Sequence, residues 1–371
     1  MPSYLLSAFT TLLAAGAVAQ SHLPVMITFR ESVTPAVLAE FGIQARDVVF
    51  GAPIAIAEVS PSLVGRMRRH HAIAAVEIDY VASVYAPGRG GGGGGGGGST
   101  VQSTPPGIVR VGGAAGSSGV TVAVIDTGID LTHPDLALNI VGGVNFVNSN
   151  SANDDNGHGS HCAGTIAAID NTQGVVGVAP RASLLAVKVL DRRGSGSYSA
   201  ITSGINWSVA NGANILSMSL GGSASNSAMQ SACDAAAQTC FVVAAAGNSG
   251  DCNLSTNEIS YPAFYSSVLS VGATSIDPAS LDALMCFSSS NPDVELSAPG
   301  ADILSTWKSG GYNTISGTSM ACPHVAGCAA VLWNGNPSTV RNTLINYADD
   351  AGPIGRDNGW GYGVVEHTNI D

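Results

Sequence analysis

Three short stretches of this 371-residue chain carry side chains that together can activate a hydroxyl group. They are Val124-Ile125-Asp126-Thr127-Gly128, then Asn156-Gly157-His158-Gly159-Ser160-His161, then Gly317-Thr318-Ser319-Met320-Ala321. A serine hydroxyl is nearly inert at neutral pH until an imidazole takes its proton, and a buried carboxylate must orient that imidazole. The order Asp, His, Ser is one of three unrelated orders known for this constellation. Read this way, Ser319 is a nucleophile, His158 its base and Asp126 the partner of the base.

Each stretch has a competing use. Asp-Thr-Gly is also a signature of aspartic peptidases, whose chemistry needs two carboxylates sharing one proton. No second Asp-Thr-Gly or Asp-Ser-Gly exists in this chain. His158 and His161 are three apart, a spacing a metal could use, but the stretch holds no glutamate to complete a hydrolytic zinc site. His161 is therefore read as structural. Ser319 alone could be a helix N-cap. With Asp126 and His158 upstream, the nucleophile reading is the stronger one.

The elements that hold these residues follow from the apolar pattern. The runs Val120–Ile125, Leu184–Val189, Ile215–Leu220, Phe241–Ala246 and Val268–Val271 are nearly continuous, as expected of strands buried on both faces. Helical patterns at about 158–169, 197–210, 224–237, 319–333 and 338–347 lie between or after them. This alternation predicts an α/β domain, a parallel sheet with helices on both sides. Ligands of such sheets bind at the carboxyl ends of strands, where Asp126 falls as the first residue after its run. His158 starts a helix whose buried face is Cys162, Ile166 and Ile169. Ser319 starts another, with Val325, Ala329 and Leu332 inward and Pro323 tolerated in the first turn. A helix N-terminus beside Ser319 offers amide donors and partial positive charge to a developing oxyanion.

Ahead of this domain, residues 23–87 read as strand, helix, two short extended runs, helix and strand. Leu23–Arg30 begins the series and Ala72–Tyr85 closes it. The order β-α-β-β-α-β is the ferredoxin-like, split βαβ pattern of a small α+β unit. Residues 1–19 read as a secretory signal, apolar over Leu5–Ala17 with the small-x-small site Ala17-Val18-Ala19. The run Gly90 to Gly98 is a linker with a root-mean-square reach of roughly 15–18 Å. The division is thus 1–19, 20–89, 90–98 and 99–371.

Charge and cysteines narrow the class. The net charge is −12, and residues 99–371 carry all of it. An acidic main domain argues against nucleic acid and anionic membranes as partners. No segment after the signal is long and apolar enough for a membrane helix, so a secreted soluble protein is expected. Seven cysteines permit up to three disulfides and leave one over, for which Cys162 is the candidate. Cys322 and Cys328, six apart on one helix, would lie about 9 Å from each other, too far to bridge.

The three stretches, with His-Gly-Ser-His-Cys-Ala-Gly-Thr and Gly-Thr-Ser-Met-Ala-Cys-Pro-His-Val-Ala-Gly written out in full, resemble those of the subtilisin-family serine endopeptidases. The cysteine after the second histidine is similar to the proteinase K branch. The resemblance covers nearly everything after the signal. It implies a three-layer α/β/α catalytic domain behind a propeptide that acts as chaperone and inhibitor. It implies that Asn248 donates its side-chain amide to the oxyanion. It implies that Gly194, Ser195 and Gly196, with Ser219, Leu220 and Gly221, flank an extended substrate. Ser260 would form the base of a roomy, uncharged specificity pocket suited to apolar or aromatic residues. A structural calcium ion would be held by Gln102, Asp135 and Asn171 with the carbonyls of Ile169, Gln173 and Val175, all hard oxygen donors. The partners implied are peptide substrates and the chain's own propeptide, the state a monomer. Self-cleavage is expected near Ser99 to Val101, although a glycine run is an unusual propeptide tail. Two other readings are a non-catalytic relative that kept the shape and a precursor whose propeptide never leaves.

Overall fold

The computed structural model describes residues 22–85, 101–148 and 151–368. The signal segment and the glycine run lie outside the described residues, as do Ser99 and Thr100.

The N-terminal unit runs β1 (Leu23–Phe29), α1 (Pro35–Ala39), β2 (Asp47–Val48), β3 (Ile54–Val59), α2 (Pro61–Met67) and β4 (Ile73–Ile78). Proline opens both helices, where its missing N–H costs nothing. The sheet order is β2-β3-β1-β4 with antiparallel pairing throughout. Alternation along β1 decides its two faces. Val25, Ile27 and Phe29 pack with Leu38 and Met67 of the helices. Met26, with Ile54 and Ile56 of β3, faces the other way and joins a core layer of the large domain. The stretch expected as one closing strand, Ala72–Tyr85, is two. After β4 the chain leaves this sheet, and β5 (Val81–Val84) pairs with the large domain instead.

The large domain begins with α3 (Pro106–Arg110), β6 (Thr121–Asp126), β7 (Ile140–Asn145) and α4 (His158–Ala167). It continues through β8 (Ser183–Lys188), β9 (Ser195–Ser197), α5 (Tyr198–Ala210), β10 (Ile215–Met218), β11 (Leu220–Gly221) and α6 (Ser227–Ala236). Then come β12 (Phe241–Ala245), β13 (Leu269–Thr274), β14 (Val294–Pro299), the hairpin β15 (Ile303–Trp307) and β16 (Gly311–Ile315), α7 (Thr318–Val331) and α8 (Pro337–Tyr347).

Seven strands form a parallel sheet in the order β14-β13-β12-β10-β6-β8-β7. The pleat sorts each strand's residues between two cores. Val122 and Val124 of β6, with Leu184 and Ala186 of β8, pack against α4 and α7. Ala123 and Ile125, with Leu185 and Val187, pack against α5 and α6. The result is the expected three-layer α/β/α arrangement. Two sheet strands fell outside the apolar runs read from the sequence, β7 and β14. Both are edge strands, so they need less apolar character and tolerate Gly142 and Gly143 in one and Pro299 in the other.

Among the described residues one disulfide forms, Cys252–Cys286. Cys162, Cys233, Cys240, Cys322 and Cys328 are free and buried, so fewer bridges form than the count allowed. Cys322 and Cys328 do not pair with each other, as helix geometry required.

Candidate active site

Asp126 is the last residue of β6 rather than the first beyond it. It shares the pleat face of Val122 and Val124, so its carboxylate points toward α4. His158 is the first residue of α4. Its Nδ1 lies 2.9 Å from Asp126 Oδ1 and 3.0 Å from Oδ2. Asp126 also accepts from the Thr127 amide at 2.6 Å. Both side chains are buried.

The entry into α4 explains why His158 is so placed. Gly157 precedes it with φ of +116°, and a Cβ there would come within 2.3 Å of the Trp307 ring. Asp154 is the organising group. Its Oδ1 accepts from the amides of Asn156 and Gly157 and from Thr127 Oγ1, each at 2.9 Å. Its Oδ2 accepts from the Ser160 amide and hydroxyl. Thr127 Oγ1 in turn accepts from the Gly159 amide at 2.9 Å. A carboxylate at a helix N-terminus is electrostatically favoured. This one also ties the Asp126 turn to the His158 helix.

Ser319 lies in the first turn of α7, behind Gly317. It caps nothing. Its hydroxyl donates to the Ser219 carbonyl at 3.1 Å, and Ser219 Oγ donates to the Ser319 carbonyl at 2.8 Å. Cys162 stands among all three candidate residues. Its Sγ is 3.9 Å from His158 Nδ1, 3.9 Å from Asp126 Oδ2 and 3.5 Å from the Ser319 carbonyl. His158 Nε2 is buried without a hydrogen-bond partner among the described residues.

The titrations differ sharply between the two histidines. Burial works to lower the pKa of His158, but the charge of Asp126 and the neighbouring Cys162 thiol outweigh it and hold the value well above 6.5. Burial lowers His161 to about 3. His161 Nε2 donates to the Ile303 carbonyl at 2.9 Å, and its ring meets Trp307 edge-on. It is a neutral packing residue.

Asn248 Oδ1 accepts from the Thr318 amide at 2.9 Å and the Thr318 hydroxyl at 2.8 Å. That pins the amide plane, so Nδ2 lies on the Gly317 side, where an added Cβ would come 2.9 Å from it. Thr318 was not anticipated in this role; its place next to the nucleophile is the signal that could have shown it.

The two glycine-rich segments form two strand edges with a third strand between them. β5 pairs antiparallel with β9, Ala82 opposite Gly196 and Ser83 opposite Ser195, and the Val84 amide donates to the Gly194 carbonyl at 2.8 Å. On its other side β5 pairs with β11, Val84 opposite Leu220 and Ser83 opposite Gly221. Tyr85, next in the chain, is hydrogen-bonded through its hydroxyl to Ser260 Oγ. A Cβ on Gly221 would lie 1.8 Å from that hydroxyl, so only glycine leaves room for the ring. Two carboxylates tie the chain just ahead of β5 to the large domain. Asp79 accepts from the amide and hydroxyl of Ser199 at the start of α5, and Glu77 from those of Ser227 at the start of α6.

Of the candidate calcium ligands, Gln102, Asp135 and Asn171 are brought together. Gln102 Oε1 accepts from the Asn171 amide at 2.6 Å, and Asn171 Nδ2 donates to Asp135 Oδ1 at 2.9 Å. Asp135 is fully buried, and its Oδ2 accepts from the Val175 amide and the Tyr312 hydroxyl. Gln173 is joined to Asn171 through its amide, and Ile169 to Asp135 through its own.

Comparison with known proteins shows the family. The profile of the subtilase family matches residues 117–363. The chain is 49% identical to subtilisin DY of Bacillus licheniformis over 239 residues, 63% of this chain and 85% of that protein. It is 41% identical to subtilisin E of Bacillus subtilis over 292 residues, 76% of this chain and 71% of that one. An alkaline protease of Alkalihalobacillus alcalophilus is 41% identical over 325 residues, 84% of this chain and 78% of its own length. That last match covers more of the chain than residues 99–371 contain, so it reaches into the N-terminal unit.

Proposed function

Because this chain belongs to the subtilase family of serine endopeptidases, we propose that Asp126, His158 and Ser319 are its catalytic triad and that residues 20–89 are a propeptide held in the substrate cleft. The observation that carries the assignment is the thiol of Cys162, which borders the carboxylate, the imidazole and the serine backbone at once. Ser319 attacks a peptide carbonyl as His158 Nε2 takes its proton. The imidazolium, held by Asp126, then protonates the leaving amine, and water repeats the cycle on the acyl-enzyme. Before attack the Ser319 hydroxyl must release the Ser219 carbonyl and donate to Nε2 instead. The Asn248 amide and the Ser319 backbone N–H are the donors for the oxyanion.

Substrate lies where β5 lies now. The edges Gly194-Ser195-Gly196 and Ser219-Leu220-Gly221 bind its backbone, which demands little of its side chains. Ser260 meets the side chain before the cut, so aromatic residues, tyrosine among them, are favoured there. Tyr85 occupies that position in the unbroken chain. Cleavage after Tyr85, rather than near Ser99 to Val101, is therefore the reading the contacts support for maturation.

Members of this family generally bind calcium. The residues here suit that ion: Gln102, Asp135 and Asn171 carry hard side-chain oxygens, the Ile169, Gln173 and Val175 carbonyls would complete the set, and the buried Asp135 carboxylate meets neutral donors among the described residues. The ion would supply charge neutralisation for Asp135 and tie the loop at 169–175 to Gln102. Among the described residues no helix is long and apolar enough to cross a membrane. Secretion is proposed from the N-terminal segment, and the acting species as a monomer on peptide substrates.

The deciding experiment compares the wild-type chain with Ser319→Ala. The variant should fold, remain uncleaved, digest no casein and resist a fluorophosphonate probe that labels the wild type at Ser319. Casein digestion by Ser319→Ala would end the assignment. A labelled wild-type enzyme that stays one long chain would instead indicate a permanently inhibited precursor.

A further inference from the structure

Lys188 is a buried cation, 2% exposed, that the mechanism above does not use. It ends β8 in register with Asp126 on β6. In sequence it is a lone charge inside an apolar strand buried on both faces, which is itself anomalous. An ammonium has three N–H donors, and this one has three acceptors. They are the Thr127 carbonyl at 2.6 Å, the Leu190 carbonyl at 3.0 Å and Asp155 Oδ1 at 2.7 Å.

Those acceptors belong to the segments that carry the triad. Thr127 follows Asp126 directly, and the Leu190 amide donates to the Asp126 carbonyl at 3.1 Å. Asp155 lies in the loop that delivers His158, and Lys308 Nζ donates to its carbonyl at 3.0 Å. One buried ammonium thus joins the turn bearing the carboxylate to the loop bearing the imidazole. Asp155 is half exposed at the side chain and supplies the countercharge a buried lysine requires.

We propose that Lys188, paired with Asp155, is a positioning residue for the triad: it fixes the Asp126 turn against the His158 loop and sets the charge against which His158 titrates. The proposal rests on the triad assignment. The ionisable groups around His158 are Asp126 and Cys162 at its Nδ1, Asp154 and Asp155 on the preceding loop, His161 on its own helix, Lys188 beyond the Thr127 turn and Lys308, whose ammonium meets the Asp155 carbonyl from the β15–β16 hairpin. Removing the cation favours imidazolium, and removing its carboxylate partner disfavours it. The two changes must therefore move His158 in opposite directions, which loss of packing would not do.

The test uses the enzyme expressed as the full chain and allowed to mature, with a small soluble peptide substrate across pH. Lys188→Met should lower kcat roughly 10-fold or more with KM nearly unchanged, because small misplacements of reacting groups are expensive. It should also raise the acid limb of kcat/KM. Asp155→Asn keeps an acceptor for Lys188 and loses only the charge, so it should lower that limb by about half a pH unit with a smaller change in kcat. If Lys188→Met fails to mature, Asp155→Asn decides alone: a downward shift supports the proposal and an unmoved limb overturns it. A Lys188→Met enzyme with normal kcat and acid limb but lower Tm would overturn it too. Failure of the probe to label the wild type at Ser319 would remove the triad assignment itself, and the proposal with it.

Discussion

The hydroxyl of Tyr85 is hydrogen-bonded to Ser260, which joins the last described residue of the N-terminal unit to a buried serine of the large domain. Around it β5 completes a three-stranded sheet, β11-β5-β9, built from both units. On the proposed reading, the chain has threaded its own segment along the edges that its substrates would use.

This contact predicts where maturation cuts. Secreted wild-type protein should begin at residue 86, by N-terminal sequencing or intact mass. Tyr85→Asp, which places a carboxylate beside the buried Ser260, should slow processing severely. Tyr85→Phe keeps the ring and loses one hydrogen bond, so it should process at a similar rate, within about 10-fold. A mature start at residue 100 or later would reject the placement.

Asn248 should matter in the transition state and little before it. Asn248→Ala is expected to lower kcat by about 10²–10³-fold, or 2.7–4 kcal/mol, with KM nearly unchanged; that magnitude is the one for losing this donor in a subtilisin. Thr318→Val, which leaves the Thr318 amide bond but removes the hydroxyl bond to Asn248 Oδ1, should show a smaller loss of the same kind. Equal losses in kcat and substrate binding would argue for a collapsed site instead.

The pH profile follows from His158. Its pKa is raised in the folded protein, so the imidazolium persists above 6.5. The base must be neutral to accept the Ser319 proton. Activity therefore falls as pH drops through the raised value, and the acid limb of kcat/KM should lie above 6.5. Asp126→Asn removes the stabilising charge, so the limb should move down while kcat falls by about 10⁴-fold. An acid limb below 6.5 in the wild type would contradict the geometry.

Calcium should act on stability before chemistry. At calcium about 100-fold above Kd, the bound state gains about 2.7 kcal/mol. Chelation should lower Tm, and Asp135→Asn should abolish the calcium dependence of Tm. A chelator-insensitive Tm in the wild type would count against the site at Gln102, Asp135 and Asn171.

The strongly periodic elements were legible from the chain because their cause is local. A strand buried on both faces must be apolar throughout, and a helix must show its stripe; hence β6, β8, β10, β12 and α4 through α8 were read near their true bounds. The edge strands β7 and β14 escaped because an edge relaxes that demand. The proposed triad was read as three residue types in a meaningful order; of its contacts the structure places the His158 imidazole on the Asp126 carboxylate.

What composition and spacing could not hold was the company those residues keep. Asp154 is one aspartate among several until the fold turns its carboxylate onto five donors from two segments. Tyr85 is an ordinary residue before a glycine run until β5 crosses between domains. Hydrogen bonds and ion pairs act over a few ångströms, and the chain brings Tyr85 to Ser260 and Asp126 to His158 only by folding. Residue types and local periodicity therefore determined the chemistry and the layers; the tertiary structure alone decided which neutral-looking groups hold that chemistry in place.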